Sequence, residues 1–279
     1  MKINIAKSAG FCFGVKRALV IAKEAVASKE KIYMLGDIVH NEEVAAEIRR
    51  AGIVKINRLT KGKNKIFLIR AHGMPIATVN KAVRLGYRII DATCPMVKEI
   101  HNIAKGMERR GYQIIVIGDK KHTEVHGIIG QLESKAIIID TPKNIPLAEI
   151  KRIKKAGVVV QSTQNAKNVL LILNILKNYI EKIEFRNTIC MPTRIKQEEI
   201  KKMPGENDLM LIIGSKKSAN TKRLYEISKS INNRTFWINS KEEIKKSWFA
   251  GVKTIGITAG ASTPDSTTRD IVAYIKKFS

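Results

Sequence analysis

Short runs of apolar residues, rich in isoleucine and valine, alternate along the chain with longer segments in which apolar positions recur every three or four residues. The runs have the length of buried strands, and the longer segments have the period of amphipathic helices. This alternation indicates parallel sheets with crossover helices, so the predicted class is α/β. Strands are predicted at "KINI", "KIYML", "KIFLI", "YRIID", "QIIVI", "AIII", "GVVV", "KIEF", "LMLII", "TFWI" and "TIGIT", and helices over 14–28, 42–51, 96–110, 166–180, 219–231 and 265–277. Ser240 and Glu243 fit a capping box that opens a further helix.

The cysteines mark a repeat within this pattern. Cys12, Cys94 and Cys190 lie 82 and 96 residues apart, and each follows an apolar run and precedes a helical segment. A glycine that ends a strand lies 24 residues after each cysteine. The residues 28 positions after the cysteines are His40, His122 and Ser218, and a third loop set, with looser spacing, consists of His72, Thr163 and Ser262. Several offsets in one register predict three copies of a βα unit of about 90 residues.

The repeat predicts three lobes with parallel sheets in a pseudo-threefold arrangement. Lobe 1 covers 14–96, lobe 2 covers 97–192, and lobe 3 covers 193–279 together with the N-terminal strand in 1–13. The N-terminal strand is assigned to lobe 3 because the strand before each cysteine belongs to the preceding lobe. Functional residues of parallel α/β units gather at the carboxyl ends of the strands. Three such units could therefore point a cysteine and two loops each at one centre.

Three thiolates at one centre suit an iron–sulfur cluster. They are too few for a closed structural zinc site, and clusters are usually held by four cysteines. Three ligands would leave one iron open to substrate as a Lewis acid. The alternative is three buried cysteines that act as small apolar residues, and the shared register argues against it. "HTEVH" could also place two histidines on zinc, but the metalloprotease pattern has glutamate directly after its first histidine.

The polar residues of the predicted loops suit an anionic phosphorylated ligand, because histidine, hydroxyl and amide groups donate hydrogen bonds without carboxylate crowding. Glu124 is the one carboxylate near the predicted centre and is a candidate proton donor. His101 lies on the helix predicted over 96–110 and is interpreted as structural. The donor set consists of His40, His72, His122, Thr163, Ser218, Asn220 and Ser262.

Composition narrows the classes of partner. The net charge of +26 favours anionic partners, although solvated lysines would account for it equally well. Aromatic residues make up 5% of the chain and no five consecutive residues are basic, which weakens the case for a nucleic-acid stacking platform. The chain begins without a secretory signal and has no apolar stretch of about 20 residues, so a cytoplasmic protein without membrane spans is expected. Three widely spaced cysteines argue against a disulfide framework.

The motifs together resemble one known family. "AGFCFGVKRA", "VHN", "AHG", "DATCP", "HTEV", "TIC", "GSKKSANTKRL" and "TAGASTPD" are similar to the 4-hydroxy-3-methylbut-2-enyl diphosphate reductase (LytB) family from Cys12 to about Asp265. The resemblance implies a three-lobed α/β protein around a 4Fe–4S cluster, with Cys12, Cys94 and Cys190 as ligands and one iron without a protein ligand.

The resemblance also implies roles for the other residues. His40, His72 and His122 would surround the substrate diphosphate, with hydrogen bonds from Ser218, Asn220 and Ser262. Glu124, Thr163 and His122 would form the catalytic set, with Glu124 in proton delivery and Thr163 near the substrate hydroxyl. The implied reaction is a two-electron reductive dehydroxylation to isopentenyl and dimethylallyl diphosphate, with electrons from an acidic ferredoxin or flavodoxin.

The chain departs from the family pattern at Ala219, where many members have serine, and in "MPTRIKQ" after Cys190. Two alternatives stay open at this point. One is a three-cysteine cluster hydro-lyase, which would use the open iron without net redox change. The other is a basic nucleic-acid-binding protein with structural cysteines, which would contain no iron.

Overall fold

The computed structural model describes residues 1–28 and 30–278. Within these residues, twelve strands form three parallel four-stranded sheets, which confirms the predicted α/β class with three βα lobes. The strands are β1 (Lys2–Ile5), β2 (Lys31–Leu35), β3 (Ile53–Ile56), β4 (Lys65–Ile69), β5 (Arg88–Asp91), β6 (Gln113–Ile117), β7 (Ile137–Ile139), β8 (Lys155–Val160), β9 (Lys182–Phe185), β10 (Leu209–Ile213), β11 (Thr235–Ile238) and β12 (Thr254–Ala259). The α-helices are α1 (Phe13–Ala27), α2 (Glu42–Arg50), α3 (Ile76–Arg84), α4 (Pro95–Arg109), α5 (Thr123–Ile129), α6 (Leu147–Ile150), α7 (Ala166–Leu176), α8 (Met191–Glu206), α9 (Ala219–Ile231) and α10 (Asp265–Ile275).

The sheets share one strand order. The orders are β3-β2-β4-β5, β7-β6-β8-β9 and β11-β10-β12-β1, and every neighbouring pair is parallel. The outer strands β5, β9 and β1 are those that precede Cys94, Cys190 and Cys12. The N-terminal strand thus pairs with β12, as the repeat predicts, with Lys2 opposite Thr254.

The chain divides into two compact units. The first consists of Met1–Lys16, Val39–Ala46 and Met191–Ser279, and it contains the sheet β11-β10-β12-β1. The second consists of Arg17–Ile38 and Glu47–Cys190, and it contains the other two sheets. The lobe boundaries at 14–96, 97–192, and 193–279 with 1–13 stay a prediction.

The central strands β4, β6 and β8 of the second unit are buried on both faces, as parallel sheets covered by helices require. In β6, Ile115 packs in a core with α7, whereas Ile114 packs in a separate core with α4. Gly157 in β8 lets α4 approach closely, because a Cβ atom there would lie 2.8 Å from the Met107 sulfur. No helix in the described part of the chain is long and apolar enough to cross a membrane.

Some local features differ from the sequence-based expectations, and helices α3, α5 and α6 are not among the predicted ones. The segment after Ser240 forms only a 3₁₀ turn over Lys241–Glu243, so the predicted capping box opens no α-helix. The Ser240 side chain makes no capping hydrogen bond, and Glu243 instead accepts one from the Asn239 N–H at 2.9 Å. The sequence pattern also missed β3, which lies at a sheet edge and buries only Ile53 of its four residues.

Candidate functional site

The cysteines occupy equivalent positions in the three repeats. The backbone N–H of each cysteine donates to a carbonyl in the loop that follows the third strand of a sheet, which is β12, β4 or β8. Cys12 donates to Ala261 at 3.1 Å, Cys94 to Ala71 at 2.9 Å, and Cys190 to Ser162 at 3.0 Å. The residues that follow these acceptors are Ser262, His72 and Thr163. In every repeat, the residue of the third loop set therefore directly follows the residue whose carbonyl binds the cysteine.

The three cysteines fit the ligand chemistry of an iron–sulfur group. All three cysteines are half-buried, and no disulfide joins them within residues 1–28 and 30–278. Each lies directly before the first residue of a helix, α1, α4 or α8, where the helix dipole favours negative charge. Thiolates are the ligands that such clusters use.

In the second unit, Ser162 is hydrogen-bonded to both Glu124 and Cys190. The Glu124 carboxylate accepts hydrogen bonds from the Ser162 N–H at 2.6 Å and from its hydroxyl at 2.8 Å. The carbonyl of the same serine accepts the Cys190 N–H. Glu124 is only 2% exposed, and burial raises the pKa of its carboxyl above the ordinary value. A carboxyl with a raised pKa keeps its proton at higher pH, which suits a general acid.

In the second unit, His72 packs against His122, which in turn is bonded to the backbone of Glu124. The rings of His72 and His122 meet edge to face with centroids 5.5 Å apart. His122 is the N-cap of α5, and its Nδ1 accepts the Glu124 N–H at 3.2 Å. A neutral His122 therefore carries its proton on Nε2, where it can donate to a ligand. The Thr163 hydroxyl accepts a hydrogen bond from Gln161 at 2.9 Å.

The first unit contains Cys12 and the remaining predicted donors, and Ala261 links Cys12 to Asn220. Ala261, whose carbonyl holds Cys12, donates its own N–H to the Asn220 side-chain oxygen at 2.9 Å. The Ser262 hydroxyl donates to the His40 carbonyl at 3.0 Å. Ser218 caps α9 by accepting the Thr221 N–H at 3.2 Å.

Asn220 has spare hydrogen-bonding capacity. Its side chain is 3% exposed, and its Nδ2 has no hydrogen-bond partner among the described residues. A buried amide donor without a partner is costly unless a ligand accepts the bond. The donor chemistry of this unit thus suits an anionic oxygen.

A match to a family model shows which protein family this chain belongs to. The model described as "LytB protein" matches residues 3–276.

The chain belongs to the LytB protein family.

Relatives and solved structures agree with this. A 4-hydroxy-3-methylbut-2-enyl diphosphate reductase of Aquifex aeolicus (strain VF5) is 38% identical over 99% of this chain and 96% of its own length. A solved structure of (E)-4-hydroxy-3-methyl-but-2-enyl diphosphate reductase, described as the terminal enzyme of the non-mevalonate pathway, is 38% identical with a TM-score of 0.72, and the match covers 99% of this chain and 100% of that one. The structure of the E-1-hydroxy-2-methyl-but-2-enyl-4-diphosphate reductase from Plasmodium falciparum has a TM-score of 0.88 at 28% identity, covering 98% and 87% of the two chains.

The sequence pattern of this LytB chain did not reveal the residues that bind and position the predicted site residues. Ser162 is hydrogen-bonded to both Glu124 and Cys190, and Lys196 donates to carbonyls near Cys12. Ser162 could have been found, because it stands directly before Thr163 at the position that Ala71 occupies before His72. Lys196 gives no comparable signal, since a lysine in a lysine-rich helix is usually solvated.

His101 is buried against the loop that contains His72 and Gly73, which agrees with its interpretation as structural. It is 8% exposed, and a Cβ atom at Gly73 would lie 2.7 Å from its ring. Burial, with the charge of Lys105, lowers the pKa of His101 from 6.5 to about 4, although Asp91 acts in the opposite direction. His101 is therefore neutral in the folded protein at neutral pH.

We expect His101 to make this LytB chain acid-sensitive. The unfolded chain takes up the proton near pH 6.5 but the folded chain only near pH 4, so stability is full above 6.5 and falls as the pH decreases towards 4. The loss is at most about 3 kcal/mol. Denaturant midpoints of cluster-free protein between these pH values, for the wild type and His101→Gln, measure the effect. The variant should show a shallower slope, and equal slopes would contradict the assignment.

Proposed function

We propose that this chain is a 4-hydroxy-3-methylbut-2-enyl diphosphate reductase that acts in the cytoplasm. The reaction is a two-electron reductive dehydroxylation that yields isopentenyl and dimethylallyl diphosphate, the last step of the non-mevalonate isoprenoid pathway. Membership of the LytB family over residues 3–276 supports this proposal. The observation that carries it is the contact of Ser162 with both the buried acid Glu124 and the backbone of Cys190, which supports a proton source close to a proposed cluster ligand.

Cys12, Cys94 and Cys190 are the proposed ligands of a 4Fe–4S cluster in which one iron lacks a protein ligand. The equivalent placement of the cysteines, each before a helix, supports a shared thiolate role. When bound, such a cluster supplies electrons and a Lewis acid for the departing hydroxyl group.

The substrate diphosphate is the proposed acceptor for the other predicted donors. His122 offers Nε2–H because its Nδ1 is occupied, and Asn220 offers a buried Nδ2 group. Hydrogen bonds to a charged phosphate are stronger than neutral ones, so these groups orient the substrate as well as hold it. The proposed diphosphate set is His40, His72, His122, Ser218, Asn220 and Ser262, with Thr163 near the substrate hydroxyl.

Glu124 is the proposed proton source. Loss of hydroxide from an allylic alcohol is difficult unless the oxygen is protonated as it leaves. The raised pKa of Glu124 keeps a proton available, and the Ser162 contacts fix the direction of the carboxyl group.

Anaerobic purification with iron and sulfide analysis, a visible spectrum and a turnover assay tests this function. We expect close to four irons per fully loaded chain, and substrate reduction that requires an electron donor. Consumption of substrate without a donor would favour the hydro-lyase. Iron-free protein with strongly salt-dependent nucleic-acid binding would favour the nucleic-acid alternative.

The proposed electron donor is an acidic ferredoxin or flavodoxin, and its use should depend on salt. The chain carries a net charge of +26, which steers an acidic partner towards it. Turnover with such a donor should fall roughly tenfold or more as ionic strength rises from about 0.05 to about 0.5 M, because salt screens the attraction. Turnover with reduced methyl viologen is the control and should change little. An equal response to salt for both reductants would show that the basic surface does not attract the electron donor.

A further inference from the structure

The segment that leads to Cys12 is held by helix α8. Glu199 accepts the backbone N–H of Lys7 at 2.6 Å and that of Ser8 at 3.0 Å, and it also accepts the Ser8 hydroxyl at 2.5 Å. Burial alone would raise the pKa of Glu199, but the hydrogen bonds from Ser8 and Lys7 and the charge of Lys196 hold it below its ordinary value. Glu199 is thus an anion that binds two successive backbone donors of this segment.

Lys196 binds the same segment from one turn earlier in α8. Its ammonium group donates to the carbonyls of Ser8 and Gly10, the latter at 3.0 Å, and to the carbonyl of Ala259 at 3.1 Å. Its side chain is 3% exposed. A lysine is almost never buried this deeply unless its ammonium is satisfied, and here backbone carbonyls satisfy it.

The path of the segment leaves little room for adjustment. Gly10 has a φ of +90°, which favours glycine, and a Cβ atom there would lie 2.3 Å from Asp265 Oδ1. Cys12 follows two residues later, and its N–H is bound by Ala261. Fixing Ser8 and Gly10 therefore fixes the approach to Cys12.

We propose that Lys196 and Glu199, which we call the α8 clamp, are positioning residues for Cys12, and that the buried charge of Lys196 favours the reduced form of the cluster that Cys12 helps to hold. The inference rests on the proposed function, in which Cys12 is a cluster ligand. Reduction adds negative charge, and a buried cation nearby stabilises that charge more than an exposed one does. Without Lys196, the carboxylates of Glu199 and Asp265 would remain in the same environment and oppose reduction.

Hydrogen exchange of cluster-free protein tests the positioning role without reference to iron. We compare the wild type with Lys196→Met, which removes the charge and the donors, and with Lys196→Arg, which keeps both. Lys202→Met is the matched control, because Lys202 is an exposed lysine on the same helix. Amide exchange over residues 8–12 should become roughly tenfold faster or more in Lys196→Met, since buried carbonyls lose their donor. Peptides with Cys94 and Cys190 should exchange as in the wild type, as should the whole Lys202→Met protein.

The reconstituted proteins test the electrostatic role. The cluster of Lys196→Met should have a lower midpoint potential than the wild type and a lower iron content, and Lys196→Arg should restore both towards wild-type values. Should Lys196→Met fail to fold, Glu199→Gln weakens the clamp more mildly and should speed exchange over residues 8–12 in the same direction.

Unchanged exchange over residues 8–12 in Lys196→Met or Glu199→Gln would overturn the positioning role. An unchanged midpoint potential in Lys196→Met would overturn the electrostatic role. Failure of the proposed function gives a different result, because wild-type protein would then bind no iron or would consume substrate without an electron donor, while the exchange experiment still reports on the clamp.

Discussion

Cys12→Ser, Cys94→Ser and Cys190→Ser are each expected to lose most of the bound iron and nearly all reductase activity. A serine hydroxyl is a poor replacement for a thiolate as an iron ligand, because it stays protonated at neutral pH and is a harder donor. If the three cysteines are the ligands, as proposed, no protein ligand is spare, so each loss should have a similar effect. Iron per chain, the visible spectrum and anaerobic turnover measure the outcome.

The fold should survive these substitutions, which makes the iron loss interpretable. The cysteine contacts that the three repeats share run through the backbone N–H, which serine retains, and serine is a favoured residue before a helix. Circular dichroism of the cluster-free proteins checks this. Met191→Ala is the control, because Met191 is 60% exposed directly beside Cys190, and it should keep full iron. One cysteine variant with full iron and full turnover would show that the three thiols do not share a site.

The sequence predicted the parts of this structure that are repeated. The spacing of Cys12, Cys94 and Cys190 predicted three similar sheets and the pairing of the N-terminal strand with the last one, because a repeat leaves the same residue types at the same offsets. Strand positions followed from long buried runs such as "LMLII", all of whose residues are buried in β10. The prediction failed where burial is slight, as in β3.

The repeat marks the position of Ser162, but the contacts that support the candidate site could not be predicted from the sequence. Glu124 and Ser162 lie 38 residues apart in the chain and meet only after β6 and β8 pair. Lys196 contacts Ser8 across 188 residues, and its carbonyl acceptors carry no side-chain signal. Local patterns report burial and turns, whereas such contacts depend on which loops the completed sheets bring together. The capping box at Ser240 failed for a related reason, since Glu243 found a different local donor.

Glu124→Gln should reduce turnover by a factor of about 100 to 10,000, the usual contribution of a general acid. The amide can keep both contacts with Ser162, because its oxygen accepts the N–H and its NH₂ group can donate to the hydroxyl oxygen. It has no proton to deliver to the departing oxygen. The variant should therefore keep its iron and its affinity for substrate while C–O cleavage slows.

The pH dependence separates proton delivery from positioning. Burial raises the pKa of Glu124, so the active acid form persists to higher pH than for an exposed glutamate, and the wild-type rate should fall as the pH rises through that pKa. This fall should be absent from the residual rate of Glu124→Gln. Anaerobic single-turnover reduction over a range of pH measures both rates. Glu133→Gln is the matched control, because Glu133 is an exposed carboxylate shortly after α5, and it should behave as the wild type.

Near-normal turnover in Glu124→Gln would assign the proton to another group, such as Thr163 with a chain of water molecules or the substrate diphosphate itself. Lost substrate binding with an intact cluster would make Glu124 a positioning residue. Ser162→Ala distinguishes these outcomes further, because it removes one hydrogen bond to the carboxylate form and leaves the acid in place. A hydrogen bond to the charged form lowers a carboxyl pKa, so its loss should raise the pKa of Glu124 and move the fall in rate to higher pH. That shift is expected only if Glu124 itself delivers the proton.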